Sequence, residues 1–147
     1  MLELSNVEKF YIHAFRFCYM RAKLLYNGRR KGYEGQPVLY IPKTISDLFM
    51  LKRGDEMLIR IQDGKLILKR PRDEREEGYK ARVGIIARFT KGNKPEYFGL
   101  RLNTLIAKAI ESALGNCFDV HLEESGGEVL VVYTPVRENT PETKAVT

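Results

Sequence analysis

The chain has no tryptophan, only two cysteines and two histidines among 147 residues, and no apolar run near the roughly 18 residues that a membrane span requires. Each shortage removes a class of function. Cys18 and Cys117 lie far apart without the local spacing of a metal site, so they read as small buried or half-buried side chains, with a disulfide between them the lesser alternative. The first residues do not pair a basic region with a continuous apolar stretch, which points to a soluble, cytoplasmic protein without a membrane partner. His13 and His121 are remote from each other and from any Cys, Asp or Glu pattern that chemistry would require, so each reads as packed or solvent-facing. Glu123-Glu124 and Glu76-Glu77 read as solvated turn and linker residues. No glycine-rich stretch ends in Gly-Lys-Ser/Thr. The expectation is therefore a protein that is not an enzyme and holds no metal or cofactor.

What the chain does have is positive charge, unevenly spread. The net charge is +6. Residues 1–75 carry 16 Lys/Arg against 9 Asp/Glu, whereas residues 76–147 carry 9 against 10. Arg16, Arg21, Lys23, Arg29, Arg30 and Lys31 fall in an acid-free run, the footprint expected of phosphate contacts. Lys80, Arg82, Arg88, Lys91 and Lys94 form a second, weaker run. Charged residues that merely keep strands and loops soluble are the alternative reading of either run alone. Tyr26, Tyr33 and Tyr40 interleave with the first run, as base-stacking groups or, more commonly beside strands, as packing residues.

Periodicity places these runs on structure. Phe10, Ile12, Ala14, Cys18, Met20, Ala22, Leu24 and Tyr26 alternate, which predicts strand for at least the later part. Ser5 and Glu8 have capping-box spacing, so residues 5–15 fit either helix or strand. Gly28, Gly32 and Gly35 predict an irregular, mobile loop. A strand over residues 38–41 then meets Pro42, which cannot donate a backbone hydrogen bond. Ile45, Leu48 and Phe49 make one face of a two-turn helix. Gly54-Asp55 turns the chain, residues 57–61 alternate, and Asp63-Gly64 supplies the tip of a hairpin whose return strand is Leu66, Ile67 and Leu68.

The order recurs. Strands are predicted over 81–89 and 97–102, separated by a loop over 90–96. A helix follows over 104–114, capped by Asn103 or Thr104, with Leu105, Ile106, Ala109, Ile110 and Ala113 on its apolar face. A second hairpin turns at Ser125-Gly126-Gly127. Ile41 precedes Gly54 by thirteen residues, and Leu102 precedes Gly115 by the same interval. The sequence thus divides into a first β-α-β-β repeat with its basic strand and loop (1–71), a charged, exposed linker (72–78), a diverged second repeat (79–135) and a disordered tail (136–147).

Residues 38–71 resemble the AbrB/SpoVT-type swapped-hairpin DNA-binding family. Ile41-Pro42-Lys43, the apolar helix face, Lys52-Arg53-Gly54-Asp55-Glu56 and residues 63–68 (Asp-Gly-Lys-Leu-Ile-Leu) carry the resemblance. The tandem arrangement is similar to that of MraZ. The resemblance implies a mixed, mainly β fold with short helices, in which tandem β-α-β-β repeats interlock their hairpins into one barrel. It also implies that basic residues of the first strand and following loop face double-stranded DNA. On that basis the expected contacts are Arg21, Lys23, Arg29, Arg30, Lys31, Lys43, Arg82, Arg88, Lys91 and Lys94. Where relatives carry arginines on the short helix, this chain has Ser46 and Asp47, which shifts the expected contacts toward the loop. The implied function is transcriptional regulation, by a homodimer or by an intrachain pseudo-dimer. The competing reading is an antitoxin-like module that binds a protein partner, with DNA secondary.

Overall fold

Alternation decides which face of each strand is buried, and the first described strand shows it. The computed structural model describes residues 20–28, 30–88 and 96–136. In β1 (Met20–Asn27) Ala22 and Leu24 are buried while Arg21, Lys23 and Leu25 face solvent. The other strands are β2 (Gln36–Tyr40), β3 (Glu56–Gln62), β4 (Lys65–Lys69), β5 (Tyr79–Arg88), β6 (Glu96–Arg101), β7 (Cys117–Ser125) and β8 (Glu128–Pro135). Helix α1 (Lys43–Leu48) follows β2, and α2 (Thr104–Leu114) follows β6. The fold is mainly β, as expected.

Both tight hairpins form where the sequence places them. Asp63 and Gly64 have φ of 52° and 74°, and Gly126 and Gly127 have 59° and 79°. Two consecutive positive φ values are what a two-residue hairpin needs to match strand twist. Asn103 caps α2, its side chain accepting from the Ile106 amide at 2.8 Å, so Asn103 rather than Thr104 is the cap.

All eight strands close into one antiparallel barrel in the order β1-β2-β6-β5-β3-β4-β8-β7, with β7 pairing back to β1. The β3–β4 hairpin finds its outer partners in β5 and β8, and the β7–β8 hairpin finds its partners in β1 and β4. Each hairpin is thus completed by strands from the other half of the same chain. Bonds outside the strand ladders repeat with the same logic. Ile41 donates to Phe98 O at 3.1 Å and Leu102 donates to Pro37 O at 3.0 Å; Val83 donates to Asp55 O at 2.8 Å and Leu24 donates to Asn116 O at 2.9 Å. Because β2 and β6 run antiparallel at the centre, the helices that follow them cap opposite ends of the barrel. Ile45 of α1, Phe49 at its C-terminal cap, and Ala107 and Ile110 of α2 enter the core.

The face of α2 differs from the one expected. Leu105 is 80% exposed, and Ala109 and Ala113 are exposed too, whereas Ala107 and Ile110 are buried. A helix capping a barrel end presents a narrow stripe to the core, so the wider apolar arc of the sequence is only partly used. At the opposite wall, Tyr133 is fully buried, stands edge-on to Phe118 at 5.9 Å, and donates its hydroxyl to Tyr40 O at 2.9 Å. Burial pushes its pKa up, so the donor proton stays in place.

The segment between the halves is also more than an exposed linker. Lys69 at the end of β4 and Lys80 near the start of β5 both lie opposite Leu58 of β3, so residues 70–78 cross over that strand. Leu58 is excluded from the barrel core, yet it is fully buried. Gly78 packs so closely that a Cβ there would lie 2.9 Å from Leu58 Cδ1. Glu76 fastens this strap. Its carboxylate accepts from Lys69 Nζ, from Arg60 at 3.0 Å and, through its other oxygen, from the Arg72 amide at 2.7 Å. Lys69, 2% exposed, also meets Glu128 of β8 at 2.7 Å. Glu76 is therefore a semi-buried anchor and not a solvated linker residue. Its hydrogen bond from Lys69 is the largest cause holding its pKa down, to about 2 from 4.5.

Two outcomes follow for stability. Tyr133→Phe removes one buried hydrogen bond and is expected to cost about 1–2 kcal/mol in urea denaturation. Glu76→Gln leaves Lys69 short of charge balance and is expected to cost about 3 kcal/mol near neutral pH. A carboxylate with a lowered folded pKa stabilises fully above its unfolded pKa of 4.5 and loses that contribution as pH falls toward 2. The stability gap between parent and Glu76→Gln should therefore be constant above about pH 5.5 and close on acidification, as read from urea midpoints across pH.

Candidate nucleic-acid interface

Closure of the barrel sorts charge by strand. Four neighbouring strands, β1-β2-β6-β5, carry six basic residues and one acidic residue, Glu96. The remaining four, β3-β4-β8-β7, carry three basic residues and five acidic ones. Half of the barrel wall is thus basic and the other half weakly acidic. The division runs across the two halves of the sequence.

Registers show how the basic side chains are repeated. Leu24 of β1 lies opposite Leu39, Val83 of β5 lies opposite Leu100, and Leu39 and Leu100 face each other at the centre of the four strands. The pairs Arg21 and Lys23 in β1 and Lys80 and Arg82 in β5 therefore occupy equivalent positions about a pseudo-two-fold axis through that central pair. Lys23 and Arg82 are exposed and point away from the core. Three strand spacings separate β1 from β5, about 14 Å around the sheet.

The expected contacts are not equally available. Arg21 Nε meets Asp119 of β7 at 3.1 Å while remaining half exposed, and Lys80 Nζ donates to Glu74 O at 2.9 Å. Lys23 has no carboxylate partner among the described residues. Arg82 reaches Gly54 O at 3.3 Å, with Glu56 beside it across the β3–β5 pair. Lys43 is paired with Asp47 one turn along α1, so the residue that displaces an expected arginine also occupies this lysine. Arg29, Lys91 and Lys94 lie outside the described residues, and Arg88 is described only by its backbone register opposite Glu96.

The described part of the glycine-rich loop after β1 contains a small backbone bridge. Arg30 and Tyr33 exchange backbone hydrogen bonds of 3.0 and 2.8 Å across a Lys31-Gly32 tip. The Arg30 guanidinium lies 5.4 Å from the Tyr33 ring centre, an attractive arrangement that holds both side chains at the surface. Glu34 ties the loop to Lys108 of α2 at 3.0 Å. Lys31 is exposed at the tip. Of the interleaved tyrosines, Tyr33 is 49% exposed, whereas Tyr26 is partly buried with its hydroxyl on Glu111 at 2.6 Å. Tyr40 lies on the four-stranded face, and burial is the largest cause raising its pKa, so it stands there as a neutral phenol.

Sequence reading missed Arg101, an exposed residue of β6 directly opposite Arg82. The signal that could have found it was the strand alternation of residues 97–101, which puts Arg101 on the outward side. His121 sits on the other wall with Glu123 at 2.7 Å. Among the described residues no group of three His, Cys, Asp or Glu side chains could hold a metal ion, and no helix is long and apolar enough to cross a membrane. No protein-family model, no curated protein and no solved structure matches the chain.

Proposed function

We propose that this protein binds double-stranded DNA through the outer face of β1-β2-β6-β5 and acts as a transcriptional regulator of the AbrB type, with both repeats in one chain. The observation that carries the reading is the segregation of six basic residues and one acid onto four adjacent strands, with Arg21 and Lys23 repeated as Lys80 and Arg82. Phosphate ridges on a duplex present this kind of surface with a matching charge, and release of their counterions drives binding. The exchange of hairpins between halves supports the AbrB-like arrangement, because it is the feature by which that family builds a barrel.

Geometry suits a duplex. The loop after β1 and the connection after β5 leave opposite ends of the face, since β2 and β6 are antiparallel. Extending the β2–β6 register places their bases about seven residues, or about 23 Å, apart along the strands. That is less than one turn of duplex, about 34 Å, so both ends of the face fall within the length of one site. Contacts of this kind position the protein; base readout would come from loop arginines such as Arg30.

A second reading is favoured by one feature, the exposed apolar residues Leu105 and Ile61 on the barrel end capped by α2, which suit a protein partner. The test is a titration against the protein's own upstream duplex and a scrambled duplex of equal length at two salt concentrations. Tighter binding to the upstream duplex, weakened by salt and reduced at least tenfold by Lys23→Glu with Arg82→Glu, is the expected outcome. Equal, salt-erased binding to both duplexes would mean a nonspecific coat. A stoichiometric co-purifying protein with no duplex retention would favour the second reading.

A further inference from the structure

We infer that Arg101 and the glycine-floored depression beneath it form a binding site for one backbone phosphate, a deepening that rests on the nucleic-acid reading of this face. Gly84 and Gly99 lie opposite each other on β5 and β6 with both absent side chains on the outer surface. A Cβ at Gly84 would lie 2.5 Å from Arg101 Nε and 3.2 Å from its Cγ and Cδ. A Cβ at Gly99 would collide with Ile86 and Val38. Gly84 lets the Arg101 side chain lie flat across it, and the two residues line a depression of about 200 Å³ whose sides include Val38 and Ile86.

The walls are suited to an anion. Asn27 contributes an amide, and Val38 and Ile86 contribute apolar sides that lower the local dielectric, whereas the amide hydrogens of Gln36 are committed to backbone carbonyls. Gln36 is fixed by donating to Leu102 O at 2.7 Å and Pro37 O at 3.0 Å. Among the described residues no carboxylate lines the depression. Arg101 has Arg82 on one side and Val38 on the other, and it has no ion-pair or hydrogen-bond partner among the described residues. Two arginines directly opposite each other on neighbouring strands repel, a cost that a bound anion would offset.

The recess also selects the kind of contact. A guanidinium that extends from a surface can enter a major groove about 8.5 Å deep and read base edges. One lying flat in a depression meets only groups that project into it, and on a duplex these are the phosphate oxygens. Arg101 is equivalent to Tyr40 about the pseudo-two-fold axis. One half of the face thus offers a cation where the other offers a phenol, and a duplex would be held in a preferred orientation.

The test compares Arg101→Ala, Gly84→Val and the Lys23→Glu/Arg82→Glu double variant in duplex titrations across a salt series, with thermal midpoints as a folding control. Arg101→Ala is expected to weaken binding about tenfold at low salt, equally on upstream and scrambled duplexes. Its log–log salt slope should fall by about 0.9, the value for one lost phosphate contact. Gly84→Val, which displaces Arg101 while keeping its charge, should weaken binding in the same direction; should it unfold, Arg101→Ala alone decides. If Arg101→Ala leaves affinity and slope unchanged while the double variant still weakens binding, the phosphate site is refuted and the face stands. A loss confined to the upstream duplex would overturn the phosphate assignment in favour of base reading. If none of the variants weakens duplex binding, the face itself is refuted.

Discussion

The hydrogen-bonding edges of two hairpins constrain everything else in this molecule. A strand pair leaves a row of unpaired amides and carbonyls on each outer edge, and a two-stranded hairpin is barely stable alone. Here the β3–β4 edges are satisfied by β5 and β8, and the β7–β8 edges by β1 and β4. No half can complete its own sheet. That requirement places β2 beside β6, sends the two helices to opposite ends, and gathers β1, β2, β5 and β6 into a continuous wall. The strap over Leu58 and the Lys69–Glu76–Glu128 cluster then lock the crossing between halves.

The charge distribution takes its meaning from that closure. Along the sequence, the excess of positive charge belongs to the first half and the second half is almost neutral. In the barrel, the neutrality of the second half resolves into a basic β5–β6 pair and an acidic β7–β8 pair facing different sides. Net charge by domain conceals what charge by strand pair reveals. This is also why a moderately charged protein can present a face with one acid among seven ionised strand residues.

Local chemistry was legible from sequence wherever a short-range rule fixes the outcome. Positive φ at Asp63-Gly64, the cap at Asn103, and the alternation of Ala22 and Leu24 with Arg21 and Lys23 need no distant partner. The repeat of spacing between Ile41–Gly54 and Leu102–Gly115 likewise anticipated matching turns, at Asp55 and Asn116, that dock on Val83 and Leu24. Long-range consequences were not legible. Glu76 reads as a linker residue because its partners, Lys69 and Arg60, are brought to it by the crossing over β3. Leu105 reads as core because helical spacing cannot say how wide a stripe a barrel end accepts. Arg101 gains interest only when the depression at Gly84 appears beside it.

Exchange of hairpins also shapes the history of each molecule as it is made. The first four strands emerge in order at a few residues per second and must wait for β5 and β8 before the β3–β4 edges can close. During that interval the inward sides of Met57, Ile59, Leu66 and Leu68 have no opposite wall. The native contacts join distant parts of the chain, which slows folding because loop closure precedes its reward. Carrying both halves on one polypeptide shortens the wait to the time of a single synthesis and replaces a search for a second molecule by a search along a tether.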